Sequence, residues 1–180
     1  MENQITLLST SKVCKIEEKV IEALKSIKED ILPYNKICIT ERTYIINTKL
    51  AQMGNACGYD VCVNKNHCGG DHQSEWLYDM VWYKENSDNM LIEVPLVLEM
   101  EWSRFDKDIK YDFEKLLLSN SELRVMIFQK DSRDEVQKIG NNLIDRIKIF
   151  ENKNKADKYL LIGMDTTGDG AFYIKPYHGE

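Results

Sequence analysis

Val13, Ile16, Val20, Ile21, Leu24, Ile27 and Ile31 recur at helical spacing, which predicts an amphipathic helix over residues 13–31, closed by Pro33. KICIT (36–40) has the residue types of a short strand, and Thr40 reads as the N-cap of a helix from Glu41 to about Ala56. Ile45, Leu50 and Met53 form its apolar stripe, and Gly58 follows its end. YDVCV (59–63) alternates like a strand, and VNKNHCGGDHQSE (63–75) is a polar loop. EWLYDMVWYK (75–84) has the aromatic content of a second strand, and across the turn ENSDN (85–89) LIEVPLVLEMEWS (91–103) reads as a third. IKYDFEKLLLSN (109–120) is a helix and LRVMIFQ (123–129) a fourth strand. A helix over Asp134–Phe150 turns Val136, Ile139, Leu143, Ile144 and Ile147 inward. KYLLIGM (158–164) and AFYIKPY (171–177), joined around DTTGDG, form a closing hairpin.

The central order is helix, strand, strand, strand, helix, strand, which implies an α/β fold around a mixed sheet. At 180 residues the chain fills one core, so residues 1–180 are read as a single domain. Three Trp and nine Tyr mark it as globular. The formal charge of −6 argues against a basic coat, while leaving room for a local basic groove. The opening MENQITLLSTSKVCKIEEK lacks the apolar run of a signal peptide or membrane span, so no membrane partner is expected. Cys14, Cys38, Cys57, Cys62 and Cys68 are odd in number and irregularly spaced, which speaks against a disulfide framework and for the cytoplasm.

Chemistry concentrates at the end of the third strand. On an extended chain Glu99 and Glu101 point the same way, opposite an apolar face of Val94, Leu96, Leu98, Met100 and Trp102. In the second strand Trp76, Tyr78, Met80 and Trp82 share one face, and Leu77, Asp79, Val81 and Tyr83 the other, so Asp79 is a carboxylate within an apolar strand. If the two strands are neighbours, Asp79 converges with Glu99 and Glu101, and such clustered hard oxygen ligands suit Mg²⁺ or Mn²⁺. The bland alternative is a wet strand end whose acids are solvated or paired with Arg42 or Lys115.

The element order, and the pairing of YDMVWY with VPLVLEMEW, resemble the PD-(D/E)xK nuclease superfamily, the restriction-endonuclease-like fold. The resemblance covers about residues 41–129, with the N-terminal helix (13–31) and a C-terminal extension (130–180) as additions. It implies that Asp79 and Glu99 bind the metal. It also implies that the chain is a metal-dependent endonuclease acting on DNA, in a restriction or defence-like role, with a homodimer where both strands are cut. Glu101 stands where the family usually has lysine, as in some restriction enzymes of the superfamily, and would orient water, accept its proton or bind a second metal. Lys115 is then the candidate displaced lysine, Lys110 a weaker one, and Glu41 and Gln129 sit where some relatives carry functional residues. The competing expectation is a catalytically silent nuclease-fold binding or regulatory subunit. Cys57, Cys62, His67, Cys68 and His72 lack the paired spacing of a zinc site, and the thiols read as buried or free. Lys65, His67 and His72 are a weak signal for contact with a nucleic-acid backbone.

Overall fold

The computed structural model describes residues 6–7, 15–27, 30, 37–70, 74, 76–167 and 170–179. In chain order these form β1 (Thr6–Leu7), α1 (Lys15–Ser26), α2 (Ile39–Ala56), β2 (Asp60–Val63), a 3₁₀ turn (Lys65–His67), β3 (Met80–Glu85) and β4 (Leu91–Glu101). They continue with α3 (Asp106–Leu117), β5 (Leu123–Lys130), α4 (Arg133–Ile149), β6 (Lys158–Asp165) and β7 (Phe172–His178). The sheet runs β1-β7-β6-β5-β4-β3-β2. β4, β5 and β6 are parallel, while β2–β3, β3–β4 and β6–β7 pair antiparallel. This is an α/β fold with a mixed open sheet. The β6–β7 hairpin extends that sheet directly from β5. Among the described residues no helix is long and apolar enough to cross a membrane.

Strand alternation divides the core into two layers. Leu96, Leu98, Val125, Ile127, Leu160 and Ile162 turn towards α1 and α2, where Val20, Leu24, Ile46 and Leu50 are fully buried against them. Val97, Met126, Phe128 and Leu161 turn the other way, onto Phe113 and Leu116 of α3 and Val136, Leu143 and Ile147 of α4. Gly163 lets α4 approach β6, since a Cβ there would collide with Val136 and crowd Phe128 at 3.0 Å. Ser132 caps α4, its hydroxyl accepting the Glu135 amide at 3.3 Å.

Three local expectations are corrected. Residues 37–40 of KICIT form no strand and Thr40 is not the N-cap: Cys38 holds that position in extended conformation, its carbonyl accepts the Arg42 amide at 3.0 Å, and Ile39 opens α2. Branched residues are tolerated in a first turn because no preceding turn crowds them. β3 begins at Met80, so Asp79 sits one residue ahead of the strand, and Trp76 folds onto Tyr83 with ring centroids 4.9 Å apart. Trp76 and Tyr78 therefore leave the face occupied by Met80 and Trp82. Finally, Trp82 pairs with Leu96 but Lys84 with Glu93, an extra residue in β4 beside Pro95. A bulge is where a strand accommodates a residue without an amide hydrogen, and it turns Val94 onto the α3 side. Ile31 and Pro33 lie outside the described residues.

Candidate active site

The register of β3 on β4, Met80 opposite Leu98, carries Asp79 to the position facing Glu99. Asp79 Oδ2 accepts the Met100 amide at 2.7 Å, replacing the ladder bond that β3 is too short to make. Both acids lie towards α3, at the carboxyl end of β4, where open α/β sheets place their ligands. Glu99 is only 1% exposed. Its cation comes from α3: Lys115 Nζ stands 2.8 Å from Glu99 Oε1 and 3.0 Å from Asp112 Oδ1. Helical side chains lean towards the N-terminus of their helix, so a lysine in the last turn of α3 reaches back along it to Asp112 and across to the sheet. The Lys115–Glu99 contact is a charge pair off ideal hydrogen-bond angles.

Glu101 completes the group. Its Oε1 accepts the Ser103 amide at 2.5 Å, and the Ser103 hydroxyl donates to Asp108 Oδ2 at 2.6 Å. Asp112 adjoins Glu101 as well as Lys115. Asp79, Glu99, Glu101 and Lys115 are thus brought together, and Asp112 joins them. Nothing in sequence separates Asp112 from an ordinary surface acid; its i,i+3 spacing to Lys115 is the one available signal.

The electrostatics follow from burial and crowding. Burial drives Glu99 up to about 8; Lys115 opposes this, while Asp79 and Asp112 add to it. Burial also raises Glu101, the Ser103 amide works against the rise, and Asp112 reinforces it. Burial pulls Lys115 down, but Glu99 and Asp112 outweigh it and hold the ammonium above the ordinary lysine value. Tyr78 is raised by burial and then by Glu99. The site is short of positive charge for the acids it contains.

Other candidates go elsewhere. Glu41 is exposed, on the helix layer across the sheet. Arg42 lies in that layer too, stacked 5.0 Å over Trp102 and donating to Gln129 at 3.4 Å, and Gln129 donates in turn to the Trp102 carbonyl. Gln129 is therefore a clamp between β5, the end of β4 and α2. Lys110 pairs with Glu114 at 3.5 Å. Cys62 and Cys68 are buried in opposite layers, so they cannot share an ion. Burial raises Cys62 to about 11 and raises Cys68, which disfavours the thiolates a metal needs. Lys65 is exposed, and His72 lies outside the described residues.

Among the described residues, no three His, Cys, Asp or Glu side chains are spaced to hold an ion on their own. Mg²⁺ does not require this. It commonly takes one or two carboxylates and completes its shell with water and phosphate oxygens. Asp79 and Glu99 supply such a pair of hard oxygen donors, and Glu99 Oε1 is a buried carboxylate oxygen whose neighbour is the Lys115 ammonium at 2.8 Å, off ideal hydrogen-bond angles. The donor set fits Mg²⁺ or Mn²⁺ used together with a phosphate substrate. Comparison with known proteins returns no match, whether to a family model, a curated protein or a solved structure.

Proposed function

We propose that the chain is a metal-dependent nuclease of the restriction-endonuclease-like type, hydrolysing phosphodiester bonds of DNA in a restriction or defence role. The observation that carries this reading is the Lys115 ammonium placed 2.8 Å from the buried Glu99, beside Asp79. It supplies from α3 the cation absent at position 101. Asp79 and Glu99 would hold Mg²⁺ or Mn²⁺. A bound dication makes water more acidic and offsets charge developing on phosphate. Lys115, about one-third exposed, presents its ammonium to the phosphate oxygens, oriented by Glu99 and Asp112. Glu101, whose proton affinity Asp112 reinforces, accepts the proton released by the attacking water.

The test is cleavage of plasmid and single-stranded DNA at low salt with Mg²⁺ and with Mn²⁺. Glu99→Ala abolishes cleavage while the protein stays folded. Lys115→Ala lowers the rate by about a hundredfold, and Glu101→Lys retains part of it. Cleavage that survives Glu99→Ala overturns the assignment. One observation favours a second reading, a silent binding subunit: each acid already has a protein partner, Lys115 on Glu99, the Met100 amide on Asp79 and the Ser103 amide on Glu101. Absence of both cleavage and metal binding selects it.

A further inference from the structure

A second feature lies on the far flank of α3. The groove between α3 and α4 encloses about 410 Å³ and is lined by Lys107 and Lys110 from one helix and Lys138 and Arg146 from the other. Asn141 and Asn142 add neutral donors. Acids stand beside these cations: Asp106 on the wall pairs with Lys130 at 2.5 Å, and Glu114 pairs with both Lys110 and Arg146 at 3.5 Å, exposed contacts that a phosphate can displace. In a chain of net charge −6 this is a local concentration of cations, around a floor that includes Ile109, Ile139 and Leu143.

The crown of α3 joins this groove to the acidic site. Lys107, Tyr111 and Lys115 follow one another at intervals of four residues, so they form one ridge on the helix. Tyr111 is 69% exposed and Phe105, at the entrance to the helix, is 68% exposed. The Lys107 ammonium lies 5.7 Å from the Phe105 ring. Phe105 is fixed relative to the acids, because its amide donates to the Ser103 hydroxyl at 3.2 Å and the Ser103 amide donates to Glu101. Two exposed aromatic rings between a cationic groove and a carboxylate site provide stacking faces flanked by phosphate contacts. Proteins that hold unpaired strands combine these two elements, whereas a duplex hides its base faces within the stack.

We propose that the α3–α4 groove and the α3 ridge are the track for single-stranded nucleic acid, with Lys107, Lys110, Lys138 and Arg146 on the phosphates and Phe105 and Tyr111 under the bases. This rests on the nuclease reading of the acidic site and deepens it by naming the substrate as an unpaired strand. Such a strand requires one active site per cut, so a two-fold dimer is not needed.

The experiment is fluorescence anisotropy with labelled oligothymidylate, in chelator and at low salt, so that binding is measured without metal and apart from cleavage. The parent binds oligothymidylate in preference to a blunt duplex and to polyglutamate. Lys110→Glu with Lys138→Glu weakens binding about tenfold and makes its salt dependence shallower by about one phosphate per lysine removed. Phe105→Ala with Tyr111→Ala also weakens it about tenfold, with the salt dependence unchanged. Circular dichroism and melting of these surface variants match the parent. Equal binding of oligouridylate supports the track and includes RNA. Equal affinity for the duplex, full displacement by polyglutamate, no binding by the parent, or parent-like binding by both double variants overturns it. Glu99→Ala that loses cleavage while still binding, and a groove variant that loses binding, separate the failure of the track from the failure of the acidic site.

Discussion

Two buried charges sit on the same face of the sheet, both beside the C-terminal half of α3, and they are treated differently. Arg124, 4% exposed, lies near the start of β5 beneath the C-terminus of α3. Its Nε donates to the Leu116 carbonyl at 3.2 Å and the Ser119 hydroxyl at 3.0 Å, and its Nη2 donates to the Ser119 carbonyl at 2.7 Å. Nη1 is paired with Asp157 at 3.1 Å, and the guanidinium stacks 5.2 Å from the Tyr159 ring. One cation meets one acid and several neutral acceptors, including the last carbonyls of a helix whose dipole favours it. Glu99 is buried still more deeply, yet beside its ammonium stand two further carboxylates, Asp79 and Asp112. Where a charge only has to hold the fold, the chain satisfies it with fixed dipoles. Around Glu99 it has left an excess of negative charge.

The largest expected effect tests the satisfied partner. Arg124→Met leaves Asp157 without its ion pair and the Leu116 and Ser119 carbonyls without their donor, and should lower stability by about 3 kcal/mol in urea denaturation. The loss should be similar at about pH 6 and about pH 9, because a guanidinium does not deprotonate in this range. A loss confined to one end of that range would mean that Arg124 is not the fixed charge described.

Next comes the unsatisfied partner. Mn²⁺ at a hundredfold excess over its dissociation constant should stabilise the parent by about 2.7 kcal/mol. Melting of Asp79→Asn should not respond. Equal shifts in both proteins would place the ion elsewhere and remove the contrast.

The smallest effect concerns protons. Between the ordinary value of 4.5 and about 8, folded Glu99 keeps a proton that the unfolded chain has released. The folded state therefore binds more protons across that window, and in metal-free buffer stability should fall as pH rises through it. Glu99→Gln should flatten this slope. Lys115→Met should cost only about 1 kcal/mol near pH 6, where Glu99 already holds its proton and no unpaired charge is left behind. If Lys115→Met proves as costly as Arg124→Met, the Glu99 pair is as structural as the other and the comparison fails.

What could be read before the structure was what depends on local pattern. Alternation in YDMVWY and VPLVLEMEW set the faces of the two strands, and the convergence of Asp79 with Glu99 followed only on the condition that they are neighbours, which β3 and β4 are. Lys115 entered as the displaced lysine that the family resemblance implies and as a possible partner for the acids, and it is paired with Glu99. The misplaced details depend on tertiary context. A bulge beside Pro95 reverses Val94, an effect that pattern cannot anticipate without the partner strand. Trp76 reads as strand by propensity, but its best contact is the ring of Tyr83. Asp112 and the Arg124 cluster stayed hidden because their meaning lies in what they touch across the fold.

Glu99 belongs to a strand paired with β5 through Glu101 and with β3 as far as Leu98, beyond which the Asp79 carboxylate takes the Met100 amide. Its backbone therefore shares the lifetime of the sheet, opening only when the sheet does. α3, by contrast, is held to the sheet by side-chain packing and by charges such as Lys115. The acid is thus the clock's fixed frame and the lysine its moving hand. A rearrangement around Glu99 that leaves the sheet intact therefore moves the helix and not the strand.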